Sequence, residues 1–146
     1  MICQGDKHME CTIYTPKELK RKCRTGKKRI LILGRYQQKL VLVQRENLWS
    51  LPETECRRGE TMEESAHRAL GEALGEAVFT VQLLCAFTEE GQEGGYAYVA
   101  DITEWEGQTD VCAFSDLPPA EETRGTLLVC ALRRWAWPFF PEKEKQ

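Results

Sequence analysis

The amino-acid sequence predicts an α+β domain built as a layered α/β/α sandwich. Two kinds of segment carry this prediction: paired runs of apolar, β-branched residues at 29–46 and 77–105, and two segments with apolar residues at helical spacing, at 60–77 and 120–137. Sheets and helices that each carry one apolar face bury those faces by packing in layers. The 146 residues, of which 42% are apolar and 29% charged, are enough for one globular domain with its own core.

The first paired run, RILILGRYQQKLVLVQRE at 29–46, predicts a β-hairpin. Its two apolar stretches flank a polar centre, so the turn is expected near Tyr36 to Lys39. The next segment, NLWSLPETECRRGE at 47–60, contains a proline, a glycine and little periodicity. It therefore predicts a loop that leads into the first helix.

The first helix is predicted to begin at Thr61. Thr61 and Glu64 have the spacing of a capping box, in which each side chain accepts a hydrogen bond from the backbone N–H of the other residue. Charged residues at i, i+4 intervals on one side can pair along the surface, which contributes a few tenths of a kcal/mol per pair. The apolar side holds Met62, Ala66, Ala69, Leu70 and Ala73, and the charged side holds Glu64, Arg68 and Glu72.

The second half of the chain predicts a further hairpin, a strand and a C-terminal helix. AVFTVQLLCAFTEE (77–90) and YAYVADITEW (96–105) flank GQEGG, whose glycines suit a tight turn. DVCAFSDLPP (110–119) predicts a short strand ended by two prolines. The helical spacing in 120–137 is carried by Leu127, Leu128, Ala131 and Trp135, and we assign the aromatic residues Trp135, Trp137, Phe139 and Phe140 to packing.

Charge is distributed unevenly along the chain. Residues 17–29 carry eight basic side chains against Glu18 alone, a net charge of +7 in a chain whose total is −3, which leaves −10 for the rest. A run of this kind is more often a solvated face than a nucleic-acid site, so we do not expect a nucleic-acid partner. The basic residues are Lys17, Lys20, Arg21, Lys22, Arg24, Lys27, Lys28 and Arg29.

The seven cysteines include no C-x-x-C pair, which argues against a disulfide framework and against a standard zinc site. They are expected to be reduced thiols. The spacing of Cys3, His8 and Cys11 fits no common metal motif. No segment has the apolar core of a signal peptide or the ~20 apolar residues needed to cross a bilayer, so a soluble, cytoplasmic protein is expected.

Positions 69, 72 and 73 lie next to one another around the first helix, where its polar side meets its apolar side. Acids at all three positions would converge on one cation. Here Ala69 and Ala73 flank Glu72 instead. Small apolar residues extend the buried stripe and avoid the repulsion between clustered glutamates that no metal neutralises.

The loop and the first helix together resemble the signature of the Nudix hydrolases, G-x5-E-x7-R-E-U-x-E-E-x-G-U, in which U is aliphatic. With Thr54 at the first position, five signature positions match and four depart. The matches are Glu60, Arg68, Leu70, Glu72 and Gly75, and the departures are Thr54, Ala69, Ala73 and Glu76. LWSLPET is also similar to the family's W-x-L-P-G-G lead-in, with Trp49, Leu51 and Pro52 retained and Glu53 and Thr54 in place of the glycines.

The resemblance covers about residues 27–140 and implies a mixed β-sheet flanked by the signature helix and a C-terminal helix. A basic segment at 1–26, partly strand or helix, precedes this domain, and a charged tail at 141–146 follows it. In the family the signature glutamates bind Mg²⁺ or Mn²⁺, which polarises the diphosphate of a nucleoside diphosphate linked to another moiety. Glu72 is thus the expected metal ligand and catalytic residue, and the expected scaffold residues are Glu60, Arg68, Leu70 and Gly75.

Because Ala69 and Ala73 occupy two of the three acidic helix positions, the hydrolysis is expected to be reduced or lost, and Mg²⁺ or Mn²⁺ is expected only if activity survives. The alternative is a non-catalytic Nudix-fold module that binds a nucleotide, another diphosphate-containing molecule or a protein partner. The sequence leaves the oligomeric state open. It also leaves open whether other acids rebuild a metal site, the candidates being Glu53, Glu55, Glu76, Glu89, Glu90 and Glu93.

Overall fold

A computed structural model of the chain describes residues 9–12, 29–89, 92–125, 129, 132–134 and 136. Within these residues the chain forms eight strands, one α-helix whose bounds are defined and a 3-10 helix at Ala120–Glu122. The strands are β1 (Met9–Thr12), β2 (Arg29–Tyr36), β3 (Lys39–Arg45), β4 (Leu48–Ser50), β5 (Glu53–Glu55), β6 (Ala77–Glu89), β7 (Gln92–Trp105) and β8 (Val111–Phe114), and helix α1 is Met62–Leu74.

The strands form one mixed sheet. Its order is β1-β6-β7-β2-β3-β4, with β5 added along β2 and β8 added along β3. Strands β2 and β7 run parallel, with Arg29 opposite Gly95 and Tyr36 opposite Ile102. The other strand pairs of the described chain are antiparallel.

The sheet has a buried cluster on each face. Helix α1 contributes to one cluster through Ala66 and Leu70, which pack with Ile30 and Tyr98 of the sheet. The other cluster contains sheet residues such as Leu31 and Leu33 together with residues of a C-terminal helical segment, where Val129, Leu132 and Ala136 are buried. The predicted α/β/α sandwich is therefore confirmed, with helical layers on both faces of a mixed sheet.

The first predicted hairpin is confirmed as β2 and β3. The two strands are joined by Gln37 and Gln38, and Tyr36 pairs with Lys39. Residues 30–35 of β2 are buried without interruption, because both faces of this central strand are covered. The apolar run at 30–33, ILIL, was the sequence signal of that double coverage.

The second hairpin is also present, but its turn was predicted in the wrong place. Strand β7 begins at Gln92, so Gly94 and Gly95 lie within the strand rather than in the turn. Gly95 stands opposite Arg29, and a Cβ there would collide with the Arg29 carbonyl oxygen. The glycine permits close approach of two backbones instead of reversing the chain.

The segment predicted as a loop at 47–60 contains two short strands, β4 and β5. They are too short for periodicity to reveal. The lead-in residues of the signature support this segment: Leu51 is 2% exposed, and the Pro52 carbonyl accepts a hydrogen bond from Ile32 N at 3.0 Å. The Trp49 ring packs edge-on against Phe114 at 4.9 Å between ring centroids.

The capping box predicted for α1 is confirmed. Thr61 Oγ1 accepts a hydrogen bond from Glu64 N at 3.1 Å, and Glu64 Oε1 accepts one from Thr61 N at 2.9 Å. Each residue thus satisfies a backbone donor that the first turn of a helix leaves without an intrahelical partner. The helix is fixed at the end that adjoins the loop.

Several sequence predictions fall outside the described residues. They concern most of the basic segment 17–29, the metal motif considered around Cys3, the C-terminal aromatic residues and the tail 141–146. The division at 26/27 and 140/141 therefore stays a prediction. Across the part of the chain that is described, none of the helices has the length and apolar character that a membrane span requires.

Candidate functional site

The candidate site is the segment that joins β5 to the first turns of α1. Its backbone makes a turn at residues 57–60, in which Glu60 N donates a hydrogen bond to the Arg57 carbonyl at 3.0 Å. Gly59 has a φ of +90°, as the third residue of a type II turn requires. Arg57 N in return donates to Glu60 Oε1 at 3.2 Å. The turn is thus closed by two hydrogen bonds.

Arg68 ties the helix to this segment. Its Nε donates to Glu60 Oε2 and its Nη2 to Glu60 Oε1, both at 3.0 Å, so the pair is bidentate. Nη2 also donates to the Glu55 carbonyl at 3.0 Å, and Nη1 donates to Thr54 Oγ1 at 3.1 Å. A single side chain therefore holds β5, the turn and the helix in fixed relation.

The Glu60 carboxylate has donors from three directions. Besides Arg68, it accepts hydrogen bonds from Ser65 Oγ at 2.6 Å and from Arg57 N. The pKa of Glu60 is lowered from 4.5 to about 2, and the hydrogen bond from Arg68 is the largest cause. The hydrogen bonds from Ser65 and Arg57 also lower this pKa, whereas partial burial raises it. Arg68 has its own pKa raised by the same partner. Both groups are therefore charged at neutral pH.

Ala69 and Ala73 face the sheet. Ala69 is 6% exposed and belongs to the buried cluster under α1, and Ala73 packs against that cluster from its edge. Leu70, which lies between them in the sequence and matches the signature, is fully buried. The two alanines are part of the apolar face of the helix.

Glu72 is exposed on the surface of α1. Its charge lies near Arg68, since it contributes to the raised pKa of that guanidinium. Among the described residues, no three His, Cys, Asp or Glu side chains are placed so that they could hold a metal ion. Glu72 therefore stands apart from any group of oxygen ligands in this part of the chain.

Of the other acids considered from the sequence, Glu53, Glu55 and Glu76 are described by the structure, and they form no metal-holding group with Glu72. Glu53 forms an ion pair with Arg29, Oε2 to Nε at 3.0 Å, along the β2–β5 pairing. Glu55 and Glu76 are exposed. The side chains of Glu89, Glu90 and Glu93 lie outside the described residues. Glu53, which stands at a lead-in glycine of the signature, is thus used to fasten β5.

Gly75 ends the helix for a stereochemical reason. Its φ of +76° and ψ of −131° are unfavourable for residues with a Cβ, and its N–H donates to the Gly71 carbonyl at 2.9 Å. A Cβ at this position would also approach Gln108 Nε2 at 2.5 Å. The glycine of the signature is therefore required by the chain reversal that leads into β6.

The sequence analysis did not single out Arg57 and Arg58. Together with Thr54, Glu55, Cys56 and Arg68 they line a pocket of about 460 Å³ beside the turn. The available signal was the dipeptide itself: two adjacent arginines followed by a glycine, directly before the first signature glutamate. Consecutive exposed cations beside a pocket create a positive potential there.

The expectation that all cysteines are reduced thiols is wrong at Cys56, which is disulfide-bonded. Cys56 is fully buried between β5 and the turn. Cys85 and Cys112 form no disulfide, as expected. The absence of a C-x-x-C pair does not exclude a disulfide between cysteines at other spacings.

Comparisons with solved structures define the class of fold. A mutant form of the Bacillus subtilis pyrophosphohydrolase BsRppH is 19% identical, with 88% of this chain and 92% of that chain covered and a TM-score of 0.62. An ADP-ribose pyrophosphatase from Streptococcus suis is 19% identical over 83% and 97% of the two chains, with a TM-score of 0.53. A nudix hydrolase family member from Chromobacterium violaceum is 15% identical over 84% and 86%, with a TM-score of 0.52.

The fold of this chain is therefore the Nudix fold, as the signature resemblance implied. No protein-family model matches the chain, and no curated protein matches it. At identities below 20% the likeness to the three structures is one of architecture. What the site does has to be argued from its own residues.

The described residues do not fit a resident Mg²⁺ or Mn²⁺. These ions need several oxygen ligands, of which protein carboxylates usually supply one or two and water or substrate phosphates the rest. On α1 the single carboxylate at a signature ligand position is Glu72, and both neighbouring ligand positions are methyl groups packed on the core. The glycines of the lead-in are replaced by Glu53, bound to Arg29, and Thr54, bound to Arg68.

Proposed function

We propose that this chain is a Nudix-fold module that binds a nucleoside diphosphate derivative, or another diphosphate-containing small molecule, and has lost metal-dependent hydrolysis. The observation that carries the proposal is the burial of Ala69 and the packing of Ala73 against the same core. The family's chemistry uses a cation held by carboxylates at these positions to polarise the diphosphate. With apolar side chains at 69 and 73, Glu72 is the one acid that remains of the three at the signature's helix positions.

Retention of the binding framework supports the ligand class. The network of Arg68, Glu60 and Thr54 keeps the loop and helix in one arrangement, and the neighbouring pocket is rich in arginine. Proteins with this fold include a pyrophosphohydrolase and an ADP-ribose pyrophosphatase. A loss of catalytic acids without loss of the surrounding scaffold favours continued binding over a new, unrelated role. We also propose that the protein is cytoplasmic, as the sequence predicts.

Binding and turnover can be measured on the same samples. The full chain is titrated calorimetrically with a panel of nucleoside diphosphate derivatives, and each compound is then incubated with the protein and Mg²⁺ or Mn²⁺ and analysed for products. We expect at least one compound to bind and to be recovered intact. Glu72→Gln should leave its affinity within about twofold, since a neutral isostere keeps the shape of an exposed side chain that holds no ion.

The competing hypothesis is a hydrolase that works with Glu72 and a relocated metal. Formation of hydrolysis products that requires the divalent ion and disappears in Glu72→Gln would overturn the proposal. Glu76→Gln is the matched control, because Glu76 is an exposed acid four residues further along. A loss of turnover in Glu72→Gln but not in Glu76→Gln would assign the remaining activity to Glu72. If no compound of the panel binds, the proposed ligand class is wrong.

A further inference from the structure

The pocket beside the turn at 57–60 has an unusual lining. Of its six residues, three are the arginines Arg57, Arg58 and Arg68, and one is the acid Glu55. Arg68 is engaged by Glu60, to which it donates two hydrogen bonds. Arg57 and Arg58 are exposed, and within the described part of the chain neither forms an ion pair. The pocket therefore carries two arginines outside the ion pairs of the described residues, against the single negative charge of Glu55.

The turn presents these two arginines from a fixed backbone. It is closed by the hydrogen bond from Glu60 N to the Arg57 carbonyl and by the one from Arg57 N to the Glu60 carboxylate. That carboxylate is itself held by Arg68 and Ser65. Little backbone freedom remains to be lost when a ligand engages the guanidinium groups, which lowers the cost of binding.

Guanidinium groups recognise phosphate oxygens through paired, charge-assisted hydrogen bonds and keep their charge at any physiological pH. Two of them can neutralise the charge that a divalent cation otherwise balances on a diphosphate. The same loop and helix that lack a set of carboxylates for a cation thus carry two free cationic side chains. The charged side chains available to the ligand are thus positive arginines instead of negative carboxylates.

We propose that Arg57 and Arg58 form a phosphate-binding site that takes the diphosphate of the ligand directly, without a divalent cation. The proposal rests on the proposed function for the identity of the complete ligand, and adds to it the residues and the kind of interaction. Glu55 opposes binding, because its carboxylate lines the same pocket. Arg68 acts as a positioning residue through Thr54 and Glu60.

Inorganic pyrophosphate in the presence of EDTA is the probe, titrated calorimetrically into the full chain. We expect binding to survive EDTA, and the double variant Arg57→Gln/Arg58→Gln to lose about tenfold or more in affinity. The control is Arg45→Gln/Arg134→Gln, which removes the same charge from exposed positions elsewhere and should change affinity by no more than about twofold. Glu55→Gln should bind pyrophosphate more tightly, a gain that damage to the fold does not produce.

Each other outcome decides against the site. Absence of pyrophosphate binding, loss of binding in EDTA, or equal weakening in the two double variants would overturn it. Titration with the nucleotide panel separates this inference from the proposed function. Nucleotides that bind the Arg57→Gln/Arg58→Gln variant as tightly as the parent would overturn the site and leave the function. Pyrophosphate binding through the arginines, with no nucleotide bound, would do the reverse.

Discussion

Glu60 joins the turn to helix α1, and its low pKa makes the stability of the protein depend on pH. The folded pKa of about 2 lies below the ordinary value of 4.5, chiefly because of the hydrogen bond from Arg68. Stabilisation from the charged form is therefore complete above pH 4.5 and is lost as the pH falls from there towards 2. The shift corresponds to at most about 3 kcal/mol, which partial solvent exposure reduces to about 2 kcal/mol.

We predict that Glu60→Gln lowers the free energy of unfolding by about 2 kcal/mol at neutral pH, and that the difference from the parent shrinks as the pH falls below 4.5. Urea unfolding of both proteins over a series of pH values measures it. Glu104→Gln is the control, since Glu104 is exposed on β7 and its removal should cost little at any pH. A difference between Glu60→Gln and the parent that does not vary with pH would contradict this account of the Glu60–Arg68 pair.

Gly71 within α1 and Gly75, which caps its C-terminus, give opposite predictions. Gly71 has open space around its Cα, so Gly71→Ala should raise the free energy of unfolding by up to about 1 kcal/mol through helix propensity. Gly75 has a φ of +76° and faces Gln108, so Gly75→Ala should destabilise the fold. Thermal unfolding of the two variants compares them directly. Destabilisation by Gly71→Ala would show that the helix requires glycine there for a contact absent from this structure.

At the scale of the elements, the connection between β2 and β3 stores strain. Gln37 and Gln38 have φ values of 54° and 69°. A two-residue type I′ turn requires such positive values, which are unfavourable for glutamine and favourable for Asn and Gly. Replacing the pair by Asn-Gly should stabilise the protein by about 1 kcal/mol. Urea unfolding checks the value, and Asn47→Gly in the β3–β4 turn, where Asn already tolerates a φ of 67°, should gain less. Equal gains would contradict the assignment of strain to glutamine.

Features that depend on residues close together in sequence could be predicted from the sequence. Features that depend on contacts with other strands or helices could not. The capping box at Thr61 and Glu64 depends on a three-residue spacing, so it was visible before the fold. Gly95 was assigned to a turn because glycine allows positive φ, whereas the structure uses its lack of a side chain against the Arg29 backbone. That reason exists only once β2 and β7 are parallel neighbours.

The same distinction applies to the candidate site at the scale of the whole molecule. The departures at Ala69 and Ala73 could be found by comparing the chain with a signature. The ion pair of Glu53 with Arg29 and the closed turn that presents Arg57 and Arg58 depend on side chains brought together by folding. The residues that the sequence analysis missed are the arginines at 57 and 58. The signature specifies acidic positions and places no requirement on the residues at these two positions.

Restoring the acids tests whether the whole molecule still contains the family's metal geometry. In Ala69→Glu/Ala73→Glu, carboxylates at 69, 72 and 73 lie side by side on α1. Without a metal we expect a loss of about 2 kcal/mol or more, because Ala69 is 6% exposed and a carboxylate there is placed against the core. Mg²⁺ should then raise the melting temperature of the double variant and leave that of the parent unchanged, since a ligand that binds the folded state alone stabilises it.

Calorimetric melting with and without Mg²⁺ measures this coupling, and Ala69→Gln/Ala73→Gln is the control, with the same bulk and no added charge. A shift in the glutamate variant alone would show that the helix register inferred from the signature is correct and that the two alanines are what removed the cation. No shift would place the obstacle in the loop, where Glu53 is bound to Arg29 and Thr54 to Arg68. Glu53→Gly in the same background should then recover the response, because it releases Arg29 and returns a glycine to the lead-in.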